Sequence, residues 1–138
     1  EAAWLKPGAL VMSASALLMD HDFLADTSRC KLVSDNSKMY EGWAAGAELP
    51  VQKSVSTLLG MAFYDVVAEG RLPKSGVTDI GDIINKKASG RTSGDQIIVY
   101  AVGGMPVEDV AWGYKVLQKA REKGIGTQLN LWNTPEFA

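Results

Sequence analysis

The apolar run from Ile97 to Val102 (IIVYAV) leads directly into Gly103-Gly104 and then into a helix opened by Pro106. No other stretch constrains the chain as much. A continuous, largely β-branched run reads as a strand buried on both faces of a parallel sheet. The helix that follows is marked at both ends. Pro106 sits where a first-turn proline is tolerated, and Glu108 and Asp109 set negative charge against the positive end of the helix dipole. Val107, Val110, Ala111, Tyr114 and Leu117 line one stripe. Lys119, Arg121 and Lys123 gather at the far end, where Gly124 supplies the stop.

The same grammar runs through the rest of the chain. The Pro7-Gly8 turn starts a short strand over Leu10 to Ala14, and Lys31 to Ser34 forms a second, closed by Asp35-Asn36. Ser37 is placed to cap a helix. From Val51 to Val66 apolar residues fall at helical spacing behind Pro50, with Gly60 the one discordant residue. After the turn-rich break from Gly70 to Gly76, Thr78 is expected to cap a shorter helix with Ile80, Ile83 and Ile84 on one face, ending near Ser89-Gly90. Strands alternating with helices give an α/β architecture. About three strands are few for a complete doubly wound sheet.

With 138 residues, 46% hydrophobic and 22% charged, the chain suffices for a domain with its own core. A formal charge of −2, with no basic face, gives no reason to expect nucleic acid. No stretch reads as a signal peptide, and no apolar run approaches the ~20 residues of a membrane span. One cysteine, Cys30, excludes an internal disulfide and fits a reducing, cytoplasmic setting. The start at Glu1, inside what reads as a helix ending at Trp4-Leu5-Lys6, is that expected of a cut through a longer polypeptide.

Candidate chemistry is sparse, and each candidate has a plain alternative. Gly103-Gly104 lies where α/β sheets bind ligands, although strand-to-helix turns also use glycine for backbone reasons. No G-x-G-x-x-G follows a strand. His21, between Asp20 and Asp22, reads as a general base, or as part of a solvated or capping loop; with no second histidine a metal site is not expected. Asp20 follows a strand closely, where a catalytic acid or a helix cap belongs. Arg91-Thr92-Ser93 with Asp95 reads equally as an anion-binding loop or as a turn with Arg91 packed on a neighbour. The four tryptophans are dispersed and read as core or interface anchors.

Taken together, Gly90-Arg91-Thr92-Ser93, Val102-Gly103, Glu108-Asp109 and Ala120-Arg121 followed by Gly124-Ile125-Gly126-Thr127 resemble the ornithine cyclodeaminase/mu-crystallin family. Weaker agreement runs upstream through Trp4 to Gly8 and Val33 to Asp35. The resemblance implies the second half of a Rossmann-type NAD(P)-binding domain over residues 1–105. Residues 106–138 would be a connecting helix and a segment returning to a substrate and dimerisation domain. It implies NAD or NADP as cofactor, an amino acid or amine as small-molecule substrate, and a homodimer. The phosphate-binding loop would lie in a missing N-terminal half that this piece requires. Ser15, Ala101, Val102 and Gly103 would then neighbour the cofactor, and Asp20 or His21 would handle the proton. In one register Leu17 stands where the family's catalytic aspartate should be, so an inactive NAD(P)H-binding protein of mu-crystallin type is the alternative to an oxidoreductase or cyclodeaminase-like lyase.

Overall fold

The computed structural model describes residues 2–129 and Trp132. The chain divides into two units, Glu1–Gly104 and Met105–Ala138. The first unit is a parallel α/β sheet. Its elements in chain order are β1 (Leu10–Ser13), α1 (His21–Ala25), β2 (Cys30–Ser34), α2 (Ser37–Ala44), α3 (Val51–Ser54), α4 (Leu59–Ala68), β3 (Val77–Asp79), α5 (Ile80–Ile84) and β4 (Ile97–Ala101). The four strands lie in the order β1-β4-β2-β3, and every pairing is parallel. The fourth strand, β3, comes from a segment expected to be helical. Val77 and Thr78 are β-branched and pair with Leu32 and Val33 at the sheet edge, so Thr78 is a strand residue and caps nothing. The helix begins after Asp79.

One face of the sheet carries the core. Ile97, Val99 and Ala101 of β4 and Cys30 and Leu32 of β2 are buried there with Phe23 and Leu24 of α1 and most of α4. Every residue of α4 from Leu59 to Val66 is buried, as expected of a helix that is apolar nearly all round. Each large side chain so buried contributes roughly 1.5–3 kcal/mol. The opposite face is less covered. Ile98 and Tyr100 of β4 are half-buried, while Leu10 and Met12 of the edge strand β1 are 61% and 62% exposed. The expectation that β4 is buried on both faces therefore holds fully for one face only.

The helix expected over Val51 to Val66 is two helices. Val55, Ser56 and Thr57 are residues that lose side-chain freedom or compete for backbone bonds in a helix. Leu58 turns extended there and bridges Ala16. The buried Gln52 amide collects the exposed carbonyls by donating to Leu17 (2.9 Å), Thr57 and Leu58 (both 3.3 Å). The short α3 has no cap of its own; Asp65 of α4, 1% exposed, accepts the backbone N–H groups of Val51 and Gln52 instead. At α2 the cap is Asn36, whose side chain accepts from Met39 N–H at 3.1 Å, and Ser37 is the first helical residue. Ser37 donates to Asp79, as does Ser34, which ties the start of α2 to the end of β3.

The second unit contains α6 (Pro106–Lys123), with Pro106 in the first turn, Glu108 and Asp109 beside it, and Gly124 as its left-handed stop. Its expected apolar stripe is open: Val107, Val110, Tyr114 and Leu117 are exposed, as is Trp112 at 71%. In the C-terminal tail Leu129 and Trp132 are exposed, and Leu131 and Phe137 lie outside the described residues.

Candidate functional site

The carboxyl ends of β1 and β4 lie side by side, because Ser13 is in register with Ala101. Val102 continues the ladder one step by donating its N–H to Ser13 at 2.9 Å. Beyond β1, Ser13 folds over its own loop: its hydroxyl donates to the Ser15 carbonyl and accepts the Ser15 N–H. Ser15, Ala101, Val102 and Gly103 are thus brought to one edge of the sheet. Ser15 is exposed, Val102 and Gly103 are half-buried and Ala101 is buried.

The turn itself is held by Asp35, which directly follows β2. One carboxylate oxygen accepts the N–H groups of Gly103 (2.7 Å) and Gly104 (2.9 Å), and the other accepts that of Asn36 (2.9 Å). Sequence reasoning placed Asp35 at a strand end and missed this role. The signal available was an acid one residue past an apolar strand, beside a strand ending in two glycines. The turn amides are therefore engaged within the protein.

The group that approaches Gly103 is Tyr40. A Cβ on Gly103 would lie 2.6 Å from the Tyr40 hydroxyl and 2.8 Å from Met39 Cε, and one on Gly60 would lie 2.4 Å from the Tyr40 ring. Tyr40, fully buried, occupies the room that these two glycines leave. Among the described residues its hydroxyl makes no hydrogen bond of ordinary geometry, although the Asp35 carboxylate lies near it. Burial, and then the charge of Asp35, push its pKa well above the ordinary tyrosine value. The need for glycine at 103 is thus met by internal packing.

Asp20 and His21 sit apart from each other in function. Asp20 caps α1, its carboxylate accepting the Asp22 N–H at 2.9 Å, and lines a cavity of about 370 Å³ with Trp4, Leu5 and Val11. His21 places Nδ1 2.8 Å from Glu69 at the end of α4. Glu69 also pairs with Arg71, and Arg71 with Asp22, so the network joins α1 to α4. Glu69 is 48 residues from His21, a distance over which no local pattern signals a pair. Neither the cavity beside Asp20 nor a second one, lined by His21, is lined by Ser15 or by Ala101 to Gly103.

The loop at Arg91 takes the turn form. The Arg91 guanidinium reaches the carbonyls of Gln96 and Ala9, and Thr92 donates through both its N–H and its hydroxyl to the Gln96 side chain. Cys30 is buried, and burial pushes its thiol up to about 12, which makes it inert at neutral pH. No group of metal-binding side chains exists among the described residues, and no helix there is long and apolar enough to cross a membrane.

The chain matches known proteins over nearly its whole length. Residues 1–124 match the family model of the ornithine cyclodeaminase/mu-crystallin family, and the chain belongs to that family. It is 25% identical over 130 residues to N-((2S)-2-amino-2-carboxyethyl)-L-glutamate dehydrogenase of Staphylococcus aureus (strain NCTC 8325 / PS 47), covering 94% of this chain and 33% of the relative. Among solved structures it is similar to Thermococcus litoralis Δ1-pyrroline-2-carboxylate reductase in complex with NADH and L-proline. That likeness has a TM-score of 0.62 and 20% identity, over 92% of this chain and 35% of the other. It is also similar to an archaeal alanine dehydrogenase dimer with bound NAD, with TM-score 0.61 and 20% identity over 95% and 37%. These likenesses establish a Rossmann-type half domain. The chain spans about a third of the length of these relatives.

Proposed function

We propose that this chain is the C-terminal portion of an NAD(P)-dependent oxidoreductase that acts on an amino acid, an imine or an amine by hydride transfer. The observation that carries the reading is the shared carboxyl edge of β1 and β4, which gathers Ser15 and Ala101 to Gly103. Ligands of open α/β sheets bind at that edge. The similar solved reductase and dehydrogenase hold NADH and NAD, which supports the same class of cofactor here.

The residues present fit a wall for the nicotinamide end and do not fit a phosphate cradle, since Asp35 occupies the N–H groups of Gly103 and Gly104. The phosphates are held by other residues of the full polypeptide. When bound, the nicotinamide supplies the hydride acceptor or donor. Ser15, Ala101 and Val102 orient it, and the packed turn behind them keeps water from that side. Of the two proton-handling candidates the geometry favours His21, whose Nδ1 is tied to Glu69 while Nε2 has no partner among the described residues. Asp20 is engaged as a cap. Residues 1–105 serve as part of the nucleotide-binding domain, and residues 106–138 as the connection to a substrate and dimerisation domain.

A second reading, a catalytically inactive NAD(P)H-binding protein, draws on Leu17, whose place in the loop after β1 is apolar and whose carbonyl is bound by Gln52. Single-turnover hydride transfer, followed by nicotinamide absorbance with a panel of amino acids, keto acids and amines, separates the two. Turnover with any member is expected; binding of the nucleotide with no turnover on any would sink the oxidoreductase and leave the binder.

A further inference from the structure

The turn after β4 is filled from behind, on the side of β2 and α2. The Asp35 N–H donates to the Ala101 carbonyl at 3.1 Å, and the Asp35 carboxylate accepts the N–H groups of Gly103 and Gly104. The Asn36 cap sets the first turn of α2, which brings Met39 and Tyr40 into the space behind Gly103. Tyr40 has no room to recede. Its ring abuts Gly60 of the buried α4, where an added Cβ would lie 2.4 Å from it. It also stands at 85° to the Trp43 ring, with 5.9 Å between centroids. Ahead of the turn the situation is reversed. A Cβ on Gly104 would meet no described atom within 4 Å, and Ser15, across the β1 edge, is exposed.

A surface that orients a flat ring must be fixed both in direction and in height. Hydrogen bonds to one carboxylate fix where the peptides of the turn point, and a wedge that cannot retreat fixes how far the turn stands out. We infer that Asp35 and Tyr40 are positioning residues for the nicotinamide end of the nucleotide, Asp35 setting the direction of the turn and Tyr40 its height. Neither touches the nucleotide; both act through Val102 and Gly103. The inference rests on the cofactor reading above. It adds which residues decide how strongly the nicotinamide end is held, as distinct from the rest of the nucleotide.

Calorimetric titration of the full-length protein with NADH and with ADP-ribose, which lacks the nicotinamide, tests it. NADPH and 2′-phospho-ADP-ribose replace them if only that pair binds. The native protein should bind the whole nucleotide more tightly. Asp35→Asn and Tyr40→Leu should each weaken NADH about tenfold or more, and ADP-ribose by less than about twofold. Tyr40→Phe keeps the ring and should keep most of the preference. Asp65→Asn is the control for a purely structural carboxylate, because buried Asp65 likewise accepts two backbone N–H groups, but at the start of α3. It should lower the melting temperature and leave the preference unchanged. If Asp35→Asn does not fold, the contrast between Tyr40→Leu and Tyr40→Phe decides. Native protein that binds neither nucleotide, or both alike, contradicts the cofactor reading and this inference with it. A native preference for NADH that survives in Tyr40→Leu, a loss shared by ADP-ribose, or an equal fall in Asp65→Asn would overturn this inference alone.

Discussion

Asp35 is the residue on which the candidate site most depends, because one carboxylate holds three backbone N–H groups. Asp35→Ala leaves them unpaired and should destabilise the protein by about 1–3 kcal/mol in urea unfolding. Tyr40→Phe removes a buried hydroxyl that lies near Asp35 but makes no hydrogen bond of ordinary geometry among the described residues, and should change stability by less than about 1 kcal/mol. Gly103→Ala drives a methyl onto the Tyr40 hydroxyl and Met39 and should cost about 1–3 kcal/mol. Tyr40→Phe in that background should recover part of the loss, and a double-mutant cycle with no coupling would show that the contact does not matter. The glycine pair was legible in the sequence as a place of close approach. What approaches it was not, because Tyr40 lies more than sixty residues away and no local spacing reports a contact of that range. Titration adds a further residue-scale expectation. Burial and Asp26 raise Cys30 from 9.0 to about 12, and burial, with Glu41 and Asp79, raises Tyr64 from 10.0 to about 12. The folded protein keeps these protons where the unfolded chain releases them, so the unfolded state binds fewer protons and stability falls as pH rises. The decline begins near pH 9 with Cys30 and is joined near pH 10 by Tyr64 and Tyr40; the shares of Cys30 and Tyr64 are complete near pH 12, and that of Tyr40 continues above it. Urea midpoints followed upward from neutral pH should drop less in Cys30→Ala than in the native protein.

At the scale of elements, the segment from α3 to α4 shows where local pattern gives way to tertiary demand. Apolar spacing from Val51 to Val66 is that of a single helix, yet the break at Val55 to Leu58 lets Leu58 bridge Ala16 and lets Gln52 hold the loop after β1. The loop that carries Leu17 to Met19 is thereby fastened to a segment more than thirty residues downstream. Gln52→Leu keeps the volume but frees three carbonyls and should cost about 1–3 kcal/mol. Hydrogen exchange should quicken in the loop after β1 and at Leu58 before it changes in β4; unchanged protection there would mean that Gln52 does not fasten the loop. β3 was illegible for a related reason. Three residues are too few for an alternation to declare itself, and only pairing with Leu32 to Ser34 makes them a strand. The strongest elements were the most legible, since β4 and α6 carry continuous apolar runs and both helix-end signals.

For the whole molecule, what is uncovered matters as much as what is packed. Parallel sheets are ordinarily covered on both faces. Here the edge strand β1 exposes Leu10 and Met12, and α6 exposes an apolar stripe. In a family whose similar members are about three times this length, such surfaces are what the rest of the polypeptide would cover. The 138-residue piece made alone should therefore be insoluble or molten, with strong binding of a hydrophobic dye. The full-length protein should run as a dimer, or a multiple of one, in light scattering, and truncation after Gly126 should weaken both folding and association. A sharp cooperative melt and a monomeric peak for the isolated piece would contradict this account of its surfaces.

The central claim is that the shared edge of β1 and β4 faces a nicotinamide nucleotide, and titration of NADH and of NADPH into the full-length protein tests it most directly. Nucleotide fluorescence should rise to saturation with at least one of the two. Ser15→Phe, at an exposed position on that edge, should weaken the affinity about tenfold or more without lowering the melting temperature. No saturable binding of either nucleotide by the native protein would contradict the account.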